Sequence, residues 1–244
     1  MGATAATLWF LDVAEPKGIL AIVGRPDEAA SRAIAEQVLG EPVVGRPESL
    51  ARAADPMPGH VYVAAWGGLT VITHAGLRVD RPSELDESWW NLVPAHRSFL
   101  LVTAPERAVG GFALRADGAR QRSFSAHPVD ILEDEGLPEL FEGPFWAGEH
   151  PLSYAEGVTP DPRALPFHPM EFAEQANREM LGFRYTHPLA PTDLDPARIQ
   201  VIDFVPASQE QVVQAQADGA PQPPVEQPDP GYEDRGRVRS FFGF

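Results

Sequence analysis

The spacing of apolar residues predicts a series of short strands interrupted by a few helices. Compact apolar runs of roughly four to eight residues, bounded by turn-forming residues, are typical of buried strands. Such runs predict strands at residues 7–11, 19–23, 60–65, 69–73, 98–103 and 199–205. The order of elements mixes hairpins with single helices. It favours an α+β fold with a mixed or mostly antiparallel sheet and two to four helices.

Helices are predicted where apolar residues recur at every third or fourth position. Residues 27–38 follow this pattern, with Asp27 at the start and Gly40 directly after the last apolar residues. An acidic residue suits the positive end of the helix dipole, and glycine is the usual residue just beyond a helix. A shorter helical piece is predicted over residues 48–54.

Two more helices are predicted further along the chain. One covers residues 80–92, with Asp80 as its cap. The other begins at Pro169, has Glu171 in its first turn and reaches Gly182 near its end. The segment between them, residues 128–165, holds many prolines, glycines and acidic residues. We expect it to be ordered but irregular.

The clearest local signal is the pair Asp117-Gly118, because a two-residue hairpin turn needs two residues that tolerate positive φ. With this turn Arg115 lies opposite Arg120, and period-two alternation adds Arg122 to the same face. Three guanidinium groups on one face repel each other unless something negative lies nearby. Either the acidic segment at residues 133–135 neutralises them, or they form a face that binds an external anion or an acidic partner.

The chain divides into one domain, residues 1–205, and a tail, residues 206–244, that is rich in Gln, Pro and Gly. Such a composition predicts a flexible or extended segment. The tail ends in an Arg/Phe motif with basic and aromatic residues at Arg235, Arg237, Arg239, Phe241, Phe242 and Phe244. We predict a peptide that docks on a partner protein. The alternative is that these phenylalanines fold back onto their own domain.

Charge and composition exclude several classes of partner. The formal net charge of the 244 residues is -16, so nucleic-acid binding and adsorption to anionic membranes are disfavoured. The chain has no cysteine, which excludes disulfides, thiolate metal sites and a cysteine nucleophile. The apolar run at the N-terminus stops at Asp12 and has no basic segment before it. We therefore expect no membrane insertion, no signal peptide and a cytoplasmic protein.

The common catalytic motifs are missing, but two His-Pro steps carry candidate chemistry. There is no dinucleotide-binding glycine motif, P-loop, nucleophile elbow or HExxH zinc motif. Acidic, imidazole and aromatic side chains gather at the His-Pro steps, at Trp146, Glu149, His150, His168 and Glu171. They could hold a metal ion, line a ligand pocket, or serve only as turns and as a helix cap. The structural role is favoured, and no metal or cofactor is predicted.

Four stretches of the sequence resemble a known family. They are MGA at the start, DRPSEL at residues 80–85, WAGEHP at residues 146–151 and LPFHPMEFAEQANREMLGF at residues 165–183. They are similar to a family of uncharacterised proteins from high-G+C Gram-positive (actinobacterial) bacteria that carry a domain of unknown function. The resemblance covers about residues 1–205. It implies a single domain that contains both His-Pro steps, and it brings no activity, substrate or cofactor.

These observations predict a non-enzymatic binding or accessory protein of the cytoplasm that engages a partner protein or a larger complex. The C-terminal tail is the expected means of contact. The alternative is a small enzyme or ligand-binding domain, with a pocket around Trp146, Glu149, His150 and His168 that offers acids and imidazoles for proton transfer.

Overall fold

The computed structural model describes residues 2–22, 24–152, 157, 159 and 161–210. Its strands are β1 Ala5–Leu11, β2 Val43–Ser49, β3 Val61–Trp66, β4 Leu69–His74, β5 Arg97–Ala104, β6 Val109–Ala116, β7 Ala119–His127, β8 Asp130–Gly136 and β9 Gln200–Pro206. Its helices are α1 Pro16–Ile22, α2 Glu28–Leu39, α3 Leu50–Ala53, α4 Glu87–Trp90, α5 Glu142–Trp146 and α6 Pro169–Leu181, and the last described residues, 207–210, are also helical. Single 3-10 turns lie at Ala75–Leu77, Pro82–Glu84, Pro105–Arg107 and Pro196–Arg198.

The strands form one sheet in the order β2-β9-β3-β4-β1-β5-β6-β7-β8, and all neighbouring strands are antiparallel. The predicted α+β fold class with a mostly antiparallel sheet is confirmed. The capping of α2 also follows the prediction. Asp27 accepts a hydrogen bond from the backbone N–H of Ala30, and Gly40 takes the left-handed conformation just beyond the helix.

The central strands are covered on both faces, so the chain folds as three layers. Successive residues of β1 alternate between two hydrophobic clusters: Trp9 belongs to one, and Leu8 and Phe10 belong to the other. Helices α1, α3, α5 and α6 pack on the Trp9 side, whereas α2 and α4 pack on the Leu8 side. Burial on both faces explains the continuous apolar runs of these strands, where a half-exposed strand would alternate.

Helix α6 begins directly over strand β6. A Cβ atom at Gly110 of β6 would lie 2.2 Å from the carbonyl oxygen of Pro169, so a glycine is needed for this close approach. Deeper in the helix, Phe172 packs against Phe112 and Phe124 with ring centroids 5.9 and 4.7 Å apart. Gly182 follows the last residue of the helix, near the predicted end, and takes the left-handed conformation.

The prediction of a strand at residues 19–23 is wrong for the residues that the structure describes. Pro16–Ile22 form helix α1, and Val23 lies outside the described residues. Pro16 occupies the first helical position, where its fixed φ favours a helix start. Only Pro16 and Leu20 of this helix are buried, and Ile22 is 81% exposed. The helix therefore packs against the sheet mainly through Leu20, and much of the apolar run faces solvent.

The helix predicted over residues 80–92 is broken into two short pieces. A 3-10 turn at Pro82–Glu84 is followed by an extended residue, Leu85, and α4 then starts with Asp86 as its cap. Asp80 forms an ion pair with Arg107 and caps no helix. The apolar spacing places Leu85, Trp89 and Leu92 on one helix face, but only Leu85 of these is buried. Trp89 and Leu92 are partly buried, and the buried indole is Trp90.

The irregular segment predicted at residues 128–165 contains a strand and a helix, β8 and α5. Strand β8 lacks an apolar alternation because it is the last strand of the sheet and is largely exposed. At the opposite edge, β2 was also missed, since Gly45 and Pro47 are poor strand formers that an edge strand tolerates.

The described chain continues past β9 to residue 210. The tail predicted at residues 206–244 therefore lies mostly outside the described residues, and so does its Arg/Phe motif. Both stay predictions. Within the described part of the chain, none of the helices combines the length and the apolar character needed to cross a lipid bilayer.

Candidate functional site

The β6–β7 hairpin has the predicted turn but a different register beyond it. Asp117 and Gly118 take φ values of 50° and 77°, and Arg115 lies opposite Arg120 as predicted. One residue later the register shifts by a β-bulge, so that Arg122 lies opposite Leu114. A shift of one residue moves a side chain to the other face of a sheet. The prediction that all three arginines share one face is therefore wrong.

Arg115 lies on the face covered by α4. Its two terminal nitrogens donate to the carboxylate of Glu87 at 2.6 Å each, and its guanidinium lies 4.2 Å from the ring centre of Trp90. The side chain of Arg115 is 9% exposed and that of Glu87 is 68% exposed. The guanidinium of Arg115 therefore makes a cation–π contact with the indole of Trp90 and a bidentate ion pair with the carboxylate of Glu87.

Arg122 lies on the opposite face, where it is 1% exposed. Its Nε and Nη2 donate to the fully buried carboxylate of Glu142 at 2.7 and 2.8 Å, and its Nη1 donates to Asp134 at 2.6 Å. Burial acts to lower the pKa of Arg122, but the hydrogen bonds to Glu142 and Asp134 raise it above its ordinary value. The buried guanidinium therefore stays charged and joins α5 to the sheet.

Arg120 forms an ion pair with Glu135 on β8. All three arginines thus contact a carboxylate, and two of those carboxylates come from the acidic segment at residues 133–135. This geometry favours internal neutralisation over an external anion as the explanation of the three arginines.

His168 acts as the cap of α6. Its Nδ1 accepts a hydrogen bond from the backbone N–H of Met170 at 3.2 Å. Burial lowers the pKa of His168, against the smaller opposing effect of the Glu171 charge. A neutral imidazole carries its proton on one nitrogen only, so the ring proton of His168 is on Nε2.

Three of the predicted pocket residues, Trp146, Glu149 and His150, do not line a cavity with His168. The ring of His150 stacks on Phe145 with centroids 3.8 Å apart, and its Nδ1 lies 3.6 Å from Glu171. Trp146 packs edge-on against Phe167, and Glu149 is exposed. His150 and Trp146 therefore join an aromatic cluster around α5, whereas Glu149 points to no partner among the described residues. Among the described residues, no three His, Asp or Glu side chains are grouped closely enough to hold a metal ion.

A cleft of about 550 Å³ opens beside the start of α6, and we call it the α6 cleft. It lies between α6, the turn at Pro105 and the chain that returns after Gly182. Its apolar walls come from Pro105, Met170 and Pro188. Its polar lining consists of His168, Glu171, Glu174, Arg184, Thr186 and His187. Two residues of the predicted pocket, His168 and Glu171, are therefore part of it.

Glu174 fixes the wall of the α6 cleft formed by the returning chain. It is 2% exposed and accepts hydrogen bonds from the backbone N–H groups of Tyr185 and Thr186 at 2.8 and 3.2 Å, and from the Thr186 hydroxyl at 3.0 Å. Burial raises the pKa of Glu174, while these hydrogen bonds and the charge of Arg184 act to lower it. Both of its carboxyl oxygens therefore accept hydrogen bonds that hold this segment against α6.

Arg184 differs from Arg115, Arg120 and Arg122. Its Nη2 donates to the side-chain oxygen of Gln175, and its buried Nε–H has no hydrogen-bond partner among the described residues. No carboxylate of the described chain lies within 4.0 Å of its guanidinium nitrogens. Sequence analysis missed Glu174, Arg184 and Thr186. The His187-Pro188 step, which repeats the pattern at His150 and His168, was the available signal for this segment.

Comparison with known proteins places the chain in a family. No curated protein and no solved structure matches it. A family model does match, over residues 5–204, which run from the first residue of β1 into β9. This span includes β1 to β8, most of β9 and every residue that lines the α6 cleft except Gly2. The chain therefore belongs to DUF6928, a family of unknown function.

Proposed function

We propose that this chain is a non-enzymatic binding or accessory protein that engages another polypeptide in the cytoplasm. The observation that supports it best is an apolar surface at the β8 edge of the sheet. Leu140 is 98% exposed and Leu137 is 84% exposed, and both follow directly after β8. Ile131 of β8 is 42% exposed. Covering one such side chain fully is worth about 1.5–3 kcal/mol, so a bound segment gains stability here.

The backbone of β8 offers a second means of contact. It is the terminal strand, and it has a strand neighbour only on the β7 side in the described part of the chain. A terminal strand has backbone N–H and C=O groups that an added strand can pair with. An extended peptide laid along β8 would form these hydrogen bonds and place its apolar side chains near Leu137 and Leu140.

The charge of the β8 edge defines the chemistry of the occupant. Strand β8 carries exposed Asp130, Asp134 and Glu135, and Glu139 follows it. Asp134 and Glu135 are paired with Arg122 and Arg120, so the negative charge left for an occupant comes mainly from Asp130 and Glu139. The occupant is therefore an extended segment that combines arginines with large apolar side chains. Residues 235–244 have this composition, with three arginines followed by three phenylalanines. We propose that this segment is a docking peptide and that the β8 edge accepts segments of this kind.

The alternative of a catalytic acid–imidazole pocket has less support. The Nδ1 of His168 is occupied by the Met170 N–H, and the His150 ring is stacked on Phe145. Neither arrangement leaves the two imidazoles facing one reacting group. The actinobacterial source suggested by the resemblance is part of this proposal, supported by a chain in which Lys17 is the only lysine.

A peptide-binding measurement tests the proposal. The probe is a fluorescent peptide with the sequence of residues 235–244, titrated into the full chain and into a chain that ends at residue 234. This truncation removes no residue of the described fold. We expect saturable binding, measured by anisotropy, that L137S/L140S weakens about a hundredfold or more, because each buried leucine contributes about a factor of ten or more.

Two controls make the result specific. I22S removes an equally exposed apolar side chain from α1, far from β8 in the sequence, and should leave peptide affinity unchanged. A peptide with glutamate in place of its three arginines should not bind to the acidic edge. If the unmodified peptide does not bind, or if L137S/L140S binds it as tightly as the parent chain, the β8 edge is not a docking surface.

A further inference from the structure

The α6 cleft has the size and composition of a small-molecule site. Its volume of about 550 Å³ lies within the range of roughly 300–1,000 Å³ that ligand pockets occupy. Apolar walls with a few converging polar groups are the usual composition of such sites. The cleft is separate from the β8 edge, since its residues belong to α6, the Pro105 turn and the segment after Gly182.

The unused hydrogen-bond donors in the α6 cleft suit an anionic group. Arg184 uses its Nη2 for Gln175, whereas its Nη1 has no hydrogen-bond partner and no carboxylate within ion-pair distance in the described chain. Its Nε–H also lacks a partner but is buried, so Nη1 is the donor that a ligand in the cleft can reach. His168 has its ring proton on Nε2, because Nδ1 already accepts from Met170. A guanidinium N–H and an imidazole N–H that both line one cleft match the oxygens of a carboxylate.

A doubly charged anion does not suit the α6 cleft, because acidic side chains lie beside Arg184. Glu171 lines the same cleft with an exposed carboxylate, and Glu174 supplies a second carboxyl group to the wall. A phosphate group would be repelled by these side chains. A ligand that pairs Arg184 with one negative charge and Glu171 with one positive charge matches both signs.

The apolar walls complete the description of the ligand. Pro105, Met170 and Pro188 offer contact to an aliphatic side chain and no charge. We infer that the α6 cleft binds a small zwitterion of the α-amino acid class with an apolar side chain. Arg184 contacts its carboxylate, Glu171 its ammonium group and Met170 its side chain. Glu174 is a positioning residue, since its oxygens hold the segment that carries Arg184.

Calorimetric titration of the full chain tests this inference with four probes. They are L-leucine, 4-methylpentanoate (leucine without its ammonium group), 3-methylbutylamine (leucine without its carboxylate) and inorganic phosphate. We expect leucine to bind at least about tenfold more tightly than either half-molecule, since each loses one charged hydrogen-bonded contact. Tighter binding of phosphate, or no binding of leucine, would overturn the inference.

Variants assign the two charged contacts. R184Q should weaken leucine about tenfold or more, and E171Q should weaken leucine but not 4-methylpentanoate. R163Q is the matched control, because Arg163 is an exposed arginine outside the α6 cleft, and it should bind leucine unchanged. Equal affinity in R184Q and the parent chain would contradict the assignment. If R184Q does not fold, the Arg184 Nε–H signal of the parent chain decides: leucine must shift it, and an unmoved signal contradicts the inference.

Discussion

Arg122 and Arg184 show two different uses of an arginine that lies against the core. Arg122 is buried, and all three nitrogens of its guanidinium donate to a carboxylate: Nε and Nη2 to Glu142 and Nη1 to Asp134. Arg184 lines an open cleft and has a buried N–H that no described residue accepts. A buried cation survives only when it is paired, so Arg122 belongs to the scaffold. Arg184 keeps its Nη1, which has no hydrogen bond in the described chain, available for a ligand.

The largest effect is expected at the Arg122–Glu142 pair. E142Q keeps the volume of the side chain but leaves the buried guanidinium with Asp134 as its only carboxylate. Removing one partner of a buried pair costs about 3–5 kcal/mol, and the remaining Asp134 places E142Q near the lower end, at about 3 kcal/mol. Urea unfolding of the parent chain and the variant measures this difference.

Two further variants show whether the loss arises from an uncompensated charge. R122M/E142L removes both charges and should recover most of the stability, because apolar residues of similar volume replace a buried pair at little cost. E135Q, which removes the partner of the more exposed Arg120, should cost less than about 1 kcal/mol. If E142Q also costs less than this, Arg122 is not held as the structure describes.

The next effect concerns the His168 cap beside Arg184. H168A removes the acceptor for the Met170 N–H and should cost about 1 kcal/mol, the typical value of a helix cap. H168N keeps a side-chain acceptor for the cap and should lower the free energy of unfolding by only a few tenths of a kcal/mol. The free energies of unfolding at pH 8 give both values, and an equal loss in the two variants would show that the cap does not matter.

Comparison of the parent chain with H168N isolates the pH dependence that His168 adds to the free energy of unfolding. Its folded pKa lies below the ordinary value of 6.5 because of burial. As the pH falls below 6.5, His168 binds a proton more readily in the unfolded chain than in the folded chain, so the free energy of unfolding decreases. H168N has no titrating group and should lose this part of the decrease. His74, whose pKa is lowered by burial as well, remains in both proteins and cancels.

Sequence periodicity predicted the parts of the fold in which local chemistry and burial agree. Strands β1, β3, β4, β5 and β9 are apolar because both faces are covered. The capped helices α2 and α6 and the Asp117-Gly118 turn follow from residues that satisfy their own backbone groups. The edge strands β2 and β8 could not be found this way, because exposure removes the apolar pattern.

The candidate sites depended on features that no local pattern records. The bulge between Arg120 and Arg122 decides which face Arg122 occupies, yet the sequence there continues the alternation of the strand. The α6 cleft joins Pro105, His168 and Arg184, which are far apart in the sequence. Only His168 and Glu171 could be singled out beforehand, since they flank a proline that begins a helix.

The smallest stability change is expected at Arg184, and it completes the contrast with Arg122. R184Q removes one hydrogen bond to Gln175 and no ion pair of the described chain, so the free energy of unfolding at pH 5 should change by no more than about 0.5 kcal/mol.

The charge of Arg184 also acts to lower the pKa of Glu174, which burial holds above 4.5. Without Arg184 this pKa should rise further, which carbon NMR of the Glu174 carboxyl can follow. A raised carboxyl pKa stabilises the fold below the unfolded value and loses that contribution as the pH rises through the folded value. R184Q should therefore fall further behind the parent chain at pH 7 than at pH 5. A loss at pH 5 as large as that of E142Q would instead make Arg184 part of the scaffold.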